Sequence, residues 1–191
     1  GQVDFGAAGV LESETEGFSG WYYIQNGCVQ KGQETVKQNS NGWWYIGTDG
    51  KVDFHKNTVA PNEYGWWAVR NGAVDFQLNG IASNESGDWY CRGGQVDFGA
   101  AGVLESETEG FCGWYYIQNG CVQKGQETVK QNSNGWWYIG TDGKVDFGFS
   151  GIASNENGTW YIENGKVNFT YSGTYEDENG RIYDIKSGNV A

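Results

Sequence analysis

The amino-acid sequence repeats itself on two length scales, and that periodicity limits the fold more than any other property of the chain. Residues 1–54 recur as residues 94–147, an offset of 93, with Ser19 against Cys112 as the one difference. Inside this long repeat, a glycine followed by aromatic residues recurs at Gly20, Gly42, Gly65, Gly87, Gly113, Gly135, Gly158 and Gly180, at spacings of 22, 23, 22, 26, 22, 23 and 22. Periods of this size mark chains whose units cannot bury their apolar faces alone and must stack on one another. Four short repeats make one long one. The expected organisation is a partial unit over 1–19, a first long repeat over 20–112, and a second over 113–191 that closes in a divergent terminal unit.

The content of each short repeat points to β-structure. Asn-Gly or Asp-Gly stands between β-prone runs at Asn26-Gly27, Asp49-Gly50, Asn71-Gly72, Asn119-Gly120, Asp142-Gly143 and Asn164-Gly165, with Gly93-Gly94 in the fourth repeat. Such pairs are the strongest short-range hairpin signal. Taking Asn164-Gly165 as the loop pairs Ile162 with Val167 and Trp160 with Phe169 on one face. The same registration, with a three-residue loop, pairs Ile46 with Val52 and Trp44 with Phe54. That face reads as core. Lone hairpins are unstable in water, so the expected fold is all-β, an elongated solenoid of about eight stacked β-hairpins. Connectors such as Asn79–Asn84 and Ser150–Asn155 supply at most a short third edge. Only three leucines are present, against ten Trp, twelve Tyr and nine Phe, so aromatic rings carry most of the apolar mass.

The other hairpin face is also aromatic. Trp21 and Tyr23, Trp43 and Tyr45, Trp114 and Tyr116, and Trp136 and Tyr138 fall on it, with Trp66 beside Ala68; Asp88 and Thr159 break the pattern. These rings either pack against the neighbouring hairpin or wall a ligand cleft, for a sugar ring or a quaternary ammonium group held by cation–π attraction. The acids that follow the second-strand valine, Asp53, Asp75, Asp97 and Asp146, read as cross-strand polar partners, Asp53 lying opposite Tyr45 and Asp146 opposite Tyr138. One acid per repeat is too few for calcium.

The pattern glycine, aromatic pair, apolar residue, turn glycine, apolar residue, as in Gly42-Trp43-Trp44-Tyr45-Ile46 and Gly50-Lys51-Val52, resembles the aromatic-glycine tandem repeats of bacterial cell-surface proteins. That group includes choline-binding modules, glucan-binding repeats and clostridial toxin repeats, and Val-Asp-Phe after the turn is similar to repeats in surface proteins of gut Clostridia. The resemblance implies a hairpin solenoid attached noncovalently to wall polymers or host glycans, with Trp21, Tyr23, Trp43 and Tyr45 as aromatic walls. Against the choline-binding pattern, Ile81 and Ile152 follow the connector glycine and no Met is present.

Function classes narrow accordingly. A formal charge of −12, from 24 acidic and 12 basic residues without a basic cluster, argues against nucleic acid and anionic membranes. No apolar run approaches the ~18 residues a membrane span needs. The first residue already sits inside a repeat, so a longer protein with its secretion signal elsewhere is expected. One histidine, His55, and four cysteines without metal-ligand spacing leave no zinc site and no His-assisted triad. The acidic runs Glu12, Glu14, Glu16 and Glu105, Glu107, Glu109 lie on single short segments, which does not suit a glycosidase. No enzyme activity and no cofactor are expected. If Cys112 pairs with Cys91, the partner of Ser19 would fall before residue 1; a Cys91–Cys112 disulfide is expected on that ground. The sequence thus favours an extracellular, surface-binding repeat module for cell-wall polysaccharide or host glycan. A host protein such as immunoglobulin or mucin is the alternative, with the irregular Asn62-Glu63-Tyr64 as part of its patch, and a passive spacer stalk is the third reading.

Overall fold

The computed structural model describes residues 2–191 and contains strands, turns and no helix among them. Two compact halves form, Gly1–Asp97 and Phe98–Ala191. Within each, the chain is a stack of short repeats, eight in all, and the third shows how one is made. A leading strand, Thr58–Asn62, pairs antiparallel with a central strand, Gly65–Arg70, and a two-residue return strand, Ala73–Val74, follows the Asn71-Gly72 turn.

The turn signals are realised. Asn26, Asn71, Asn119 and Asn164 all have φ near 50°, followed by glycines at φ 72–77°, the two left-handed residues of a type I′ turn. The resulting register is the expected one: Ile162 faces Val167 and Ile46 bridges Val52. The rings expected to pair also meet, Trp160 with Phe169 at 5.7 Å and Trp44 with Phe54 at 5.5 Å between centroids.

Two expectations are corrected. The connectors are full strands: Gly80–Asn84 and Gly151–Asn155 each pair with the central strand along five positions, so the larger hairpin of each repeat precedes the Asn-Gly turn. The reason lies in the asparagine that ends each leading strand. Asn62 Oδ1 accepts the Tyr64 N–H at 2.8 Å and Asn155 Oδ1 accepts the Asn157 N–H at 2.9 Å, closing a tight turn on the side chain. In the terminal repeat, Ile185 pairs with Val190 around Ser187-Gly188, so the place the opening glycine takes in other repeats falls on Arg181, not Gly180, and the central strand runs over Ile182–Lys186.

Stacking uses the backbone. The return strand of one repeat pairs with the central strand of the repeat before it, Trp44 opposite Ala73 and Trp137 opposite Lys166. The Gly72 carbonyl accepts the Tyr45 N–H at 2.8 Å, and the Gly72 N–H donates to the Lys56 carbonyl at 2.9 Å. The central strands of the second, third and sixth repeats therefore lie between two repeats and carry buried side chains on both faces. In five of the repeats an isoleucine or valine, Ile46, Val69, Ile117, Ile139 or Ile162, is almost wholly buried on the first face. Each such side chain contributes about 1.5–3 kcal/mol of burial. On the second face Tyr45 joins Val36, Ala60, Val69 and Val74, and Tyr138 joins Val129, Ala153, Ile162 and Val167.

Candidate functional site: aromatic clefts between repeats

Burial on both faces sorts the predicted site residues. Trp21, Trp43, Trp66, Trp114 and Trp136, each directly after the glycine that opens its repeat's aromatic run, sit half-buried. Tyr45 and Tyr138, expected on the outer face, are 2% and 5% exposed and belong to the core instead. They lie two residues further along the strand, under the next repeat. Burial first, then the neighbouring Glu127 carboxylate, pushes the Tyr138 phenol up to about 12; burial and Glu34 raise Tyr45 further. Tyr23 and Tyr116 are half-buried beneath an internal ammonium, Lys37 Nζ at 5.1 Å and Lys130 Nζ at 5.2 Å from the ring centres. Those lysines are tied to Glu63 at 2.8 Å and Glu156 at 3.0 Å.

Around Trp43, Trp114 and Trp136 gathers a pair of rings from the following repeat. Trp43 lies 5.3 Å from Trp67 and 6.0 Å from Phe76, and Trp67 lies 5.6 Å from Phe76, at interplanar angles of 51°, 88° and 69°. Trp136, Trp160 and Phe169 repeat the arrangement at 5.2, 5.9 and 5.7 Å. Trp114, Trp137 and Phe147 do so at 5.1, 6.0 and 5.5 Å. Trp21 meets Trp44 at 6.1 Å, Trp44 meets Phe54 at 5.5 Å, and Trp66 meets Trp89 at 5.0 Å. The phenylalanine is the open wall: Phe54, Phe76, Phe147 and Phe169 are 43–48% exposed.

The second tryptophan is held by a device that periodicity alone does not reveal. Trp44, Trp67, Trp137 and Trp160 donate Nε1–H to Asn39, Asn62, Asn132 and Asn155 at 2.9–3.0 Å, and Trp89 does the same to Asn84. Asn84 and Asn155 also donate Nδ2–H to the carbonyls of Val59 and Val129, on the leading strand of the previous repeat, at 3.0 and 2.9 Å. One asparagine thus closes its turn, fixes a ring and joins two repeats. The legible signal is an asparagine five residues before the second tryptophan. The phenylalanine is positioned by the preceding acid: Asp53, Asp75 and Asp146 accept the N–H two residues on at 2.8–3.0 Å. That contact is local, whereas the cross-strand partners are arginines, Arg70 for Asp75 at 3.5 Å and Arg92 for Asp97 at 2.8 Å.

Space is available beside the rings. A cleft of about 520 Å³ lies against Trp21 and is lined by Leu11, Glu12, Gln38, Asn39 and Asn41. Glu12 is the cross-strand partner of Trp21, and Glu105 that of Trp114. On the far side of Phe54, a hollow of about 440 Å³ is bordered by Glu34, Asp49 and Asp53, and its counterpart at Phe147 by Glu127, Asp142 and Asp146. No group of three His, Cys, Asp or Glu side chains among the described residues is arranged to hold a metal ion. His55 is exposed in a connector.

The expected Cys91–Cys112 disulfide is not formed. All four cysteines are free. Cys91 points into a cluster with Val59, Ala68, Leu78 and Val96, while Cys112 is exposed opposite Glu107. Strand alternation sends one thiol inward and leaves the other in solvent. Burial pushes the Cys91 thiol up to about 12. A thiol reagent applied to the native protein at pH 8 should modify Cys28 and Cys112 and spare Cys91 until denaturant is added. Mass spectrometry of the labelled peptides checks this, and early modification of Cys91 would contradict its placement.

The choline-binding repeat pattern matches residues 19–30, 56–75, 79–97, 113–123 and 148–168. Those five segments are similar to choline-binding repeats. The matched segments include Trp21, Trp66, Trp67, Trp89, Trp114 and Trp160, ring positions in the clefts described above. No curated protein matches the chain. Among solved structures, CbpJ from Streptococcus pneumoniae TIGR4 is 18% identical, covering 90% of this chain and 56% of its own, with a TM-score of 0.38. Choline binding protein F from Streptococcus pneumoniae is 19% identical over 90% of this chain and 55% of its own, with a TM-score of 0.36. Alternansucrase, in complex with isomaltononaose, is 15% identical over 96% of this chain and 15% of its own, with a TM-score of 0.41. The chain thus spans little more than half the length of the two pneumococcal chains.

Proposed function

We propose that the chain is a non-catalytic, extracellular wall-binding module whose inter-repeat clefts hold quaternary ammonium groups, such as choline carried on a cell-wall polymer. The observation that carries this reading is the recurring triad of one rim tryptophan with the tryptophan and phenylalanine of the next repeat. Its rings meet at 51–90° around one point, a cup and not a flat platform. A sugar ring stacks on a broad planar face; a compact, roughly spherical trimethylammonium fills a cup and meets several π-faces together. Each ring contributes ~0.5–2 kcal/mol, more as water is excluded. The charge of −12 and carboxylates such as Glu12 beside Trp21 favour a cationic ligand over an anionic one. Repetition of the cup along the chain suits a polymer that displays the ligand many times, since linked weak sites act together. The match of five segments to the choline-binding repeat pattern supports the same ligand.

The test is retention of the whole chain on an immobilised choline matrix with elution by free choline. Retention should survive high salt, because ring contacts are not screened as surface charges are. Trp43→Ala together with Trp136→Ala should weaken binding at the two altered cups by ~10-fold each, from the loss of one ring in three. Passage of the native chain through the column, with capture by an uncharged wall polysaccharide instead, would reject the ammonium reading and return the glycan one.

A further inference from the structure

The long duplication supplies an internal comparison. The cup at Trp43 and the cup at Trp136 are the same site in two copies, and their first walls lie in segments that are identical in sequence. Their remaining walls come from the third and seventh repeats, which have diverged. At the turn that closes the leading hairpin, the third repeat carries Tyr64 where the seventh carries Asn157. The Tyr64 ring lies 6.0 Å from Trp43 at 56°, so Trp43 faces three aromatic neighbours and not two.

Tyr64 is 67% exposed, and burial does not account for it. Its backbone is nevertheless fixed on both sides. The N–H donates to Asn62 Oδ1 at 2.8 Å, and the carbonyl accepts Gln95 Nε2–H, from the next repeat, at 2.8 Å. An exposed ring on a pinned turn is organised before any ligand arrives, and little ordering entropy is left to lose on binding. The corresponding turn residue in the second repeat, Asn41, lines the cleft beside Trp21, which places this position at the mouth of a cup.

We infer that Tyr64 is an affinity-determining fourth wall, making the Trp43–Trp67–Phe76 cup the tightest quaternary ammonium site of the chain and distinct from its duplicate at Trp136. The inference rests on the ammonium reading above. The test titrates the whole chain with tetramethylammonium and with choline, followed by calorimetry and tryptophan fluorescence. The native protein should show a minor class of sites about fivefold tighter than the rest, the contribution of one added ring. Tyr64→Asn should abolish that class, and Asn157→Tyr should double it. The reciprocal variant gains a ring on an exposed turn, so its result does not depend on Tyr64→Asn remaining folded. Absence of all tetramethylammonium binding would defeat the ammonium reading itself. Binding that is unchanged in both variants would defeat only the role of Tyr64, and tighter binding by Tyr64→Asn would show that the ring obstructs the cup.

Discussion

Gly72→Ala should unfold the first half of the molecule far more readily than a turn glycine ordinarily would, by about 4 kcal/mol or more in urea denaturation followed by tryptophan fluorescence. Gly72 has φ +75°, a conformation that costs an alanine ~1–2 kcal/mol. A Cβ there would also run into the Asp53 carbonyl and the Phe54 Cα, backbone of the preceding repeat that has no rotamer to escape into. Relief requires the repeats to part. That breaks the Tyr45 N–H to Gly72 carbonyl bond and the Gly72 N–H to Lys56 carbonyl bond, each worth ~1 kcal/mol net. Gly17→Ala is the control: φ is +81°, but nothing lies within 4 Å of the added carbon, so only the conformational cost remains. Equal destabilisation by the two variants would show that the close approach of repeats at Gly72 is not what stabilises the stack.

Asn155→Ala should cost about 2–4 kcal/mol in the same measurement, and should also weaken ligand binding at the cup that contains Trp160. The side chain accepts from Trp160 Nε1 at 3.0 Å and from the Asn157 N–H at 2.9 Å, and it donates to the Val129 carbonyl at 2.9 Å. Truncation leaves a half-buried indole N–H and a carbonyl of the neighbouring strand without partners, the expensive way to lose a hydrogen bond. Asn155→Asp keeps both acceptors and lacks the donor to Val129, so it should fall between the native protein and the alanine variant. Asn157→Ala, on the exposed turn itself, should change stability by less than ~0.5 kcal/mol. A result in which Asn155→Ala behaves like Asn157→Ala would remove the asparagine from its role as the joint between repeats.

Much of this architecture is legible without coordinates, and particular residues show why. Asn164-Gly165 adopts the two left-handed conformations that only such residues accept readily, so its loop length sets the pairing of Ile162 with Val167. Alternation then places Trp160 with Phe169, as found. The half-buried position of rim tryptophans such as Trp43 is also legible, because they directly follow the glycine that opens the central strand. The tyrosines two residues further on were assigned to the same surface by the same alternation, and there local reasoning failed: Tyr45 and Tyr138 are covered by the next repeat.

The leading strands gave a weaker signal. Thr58–Asn62 contains a proline, and Gly80–Asn84 begins with a glycine; neither looks like a strand that would carry the larger hairpin. Their pairing depends on an asparagine closing the turn and on a central strand able to pair along both edges. The disulfide was misread because an inference from sequence equivalence carries no information on which way a thiol points.

Sequence by itself determined the repeat length, the turn positions, the strand register and the aromatic composition of the faces, since each is fixed by backbone preferences within a dozen residues. Only the tertiary structure decided which rings meet. A cup is built from Trp43 of one repeat and Trp67 and Phe76 of the next, and that meeting depends on the offset between stacked repeats. The offset is set by backbone hydrogen bonds such as Tyr45 to Gly72 and by side-chain joints such as Asn155 to Val129, contacts between residues 26 or more positions apart.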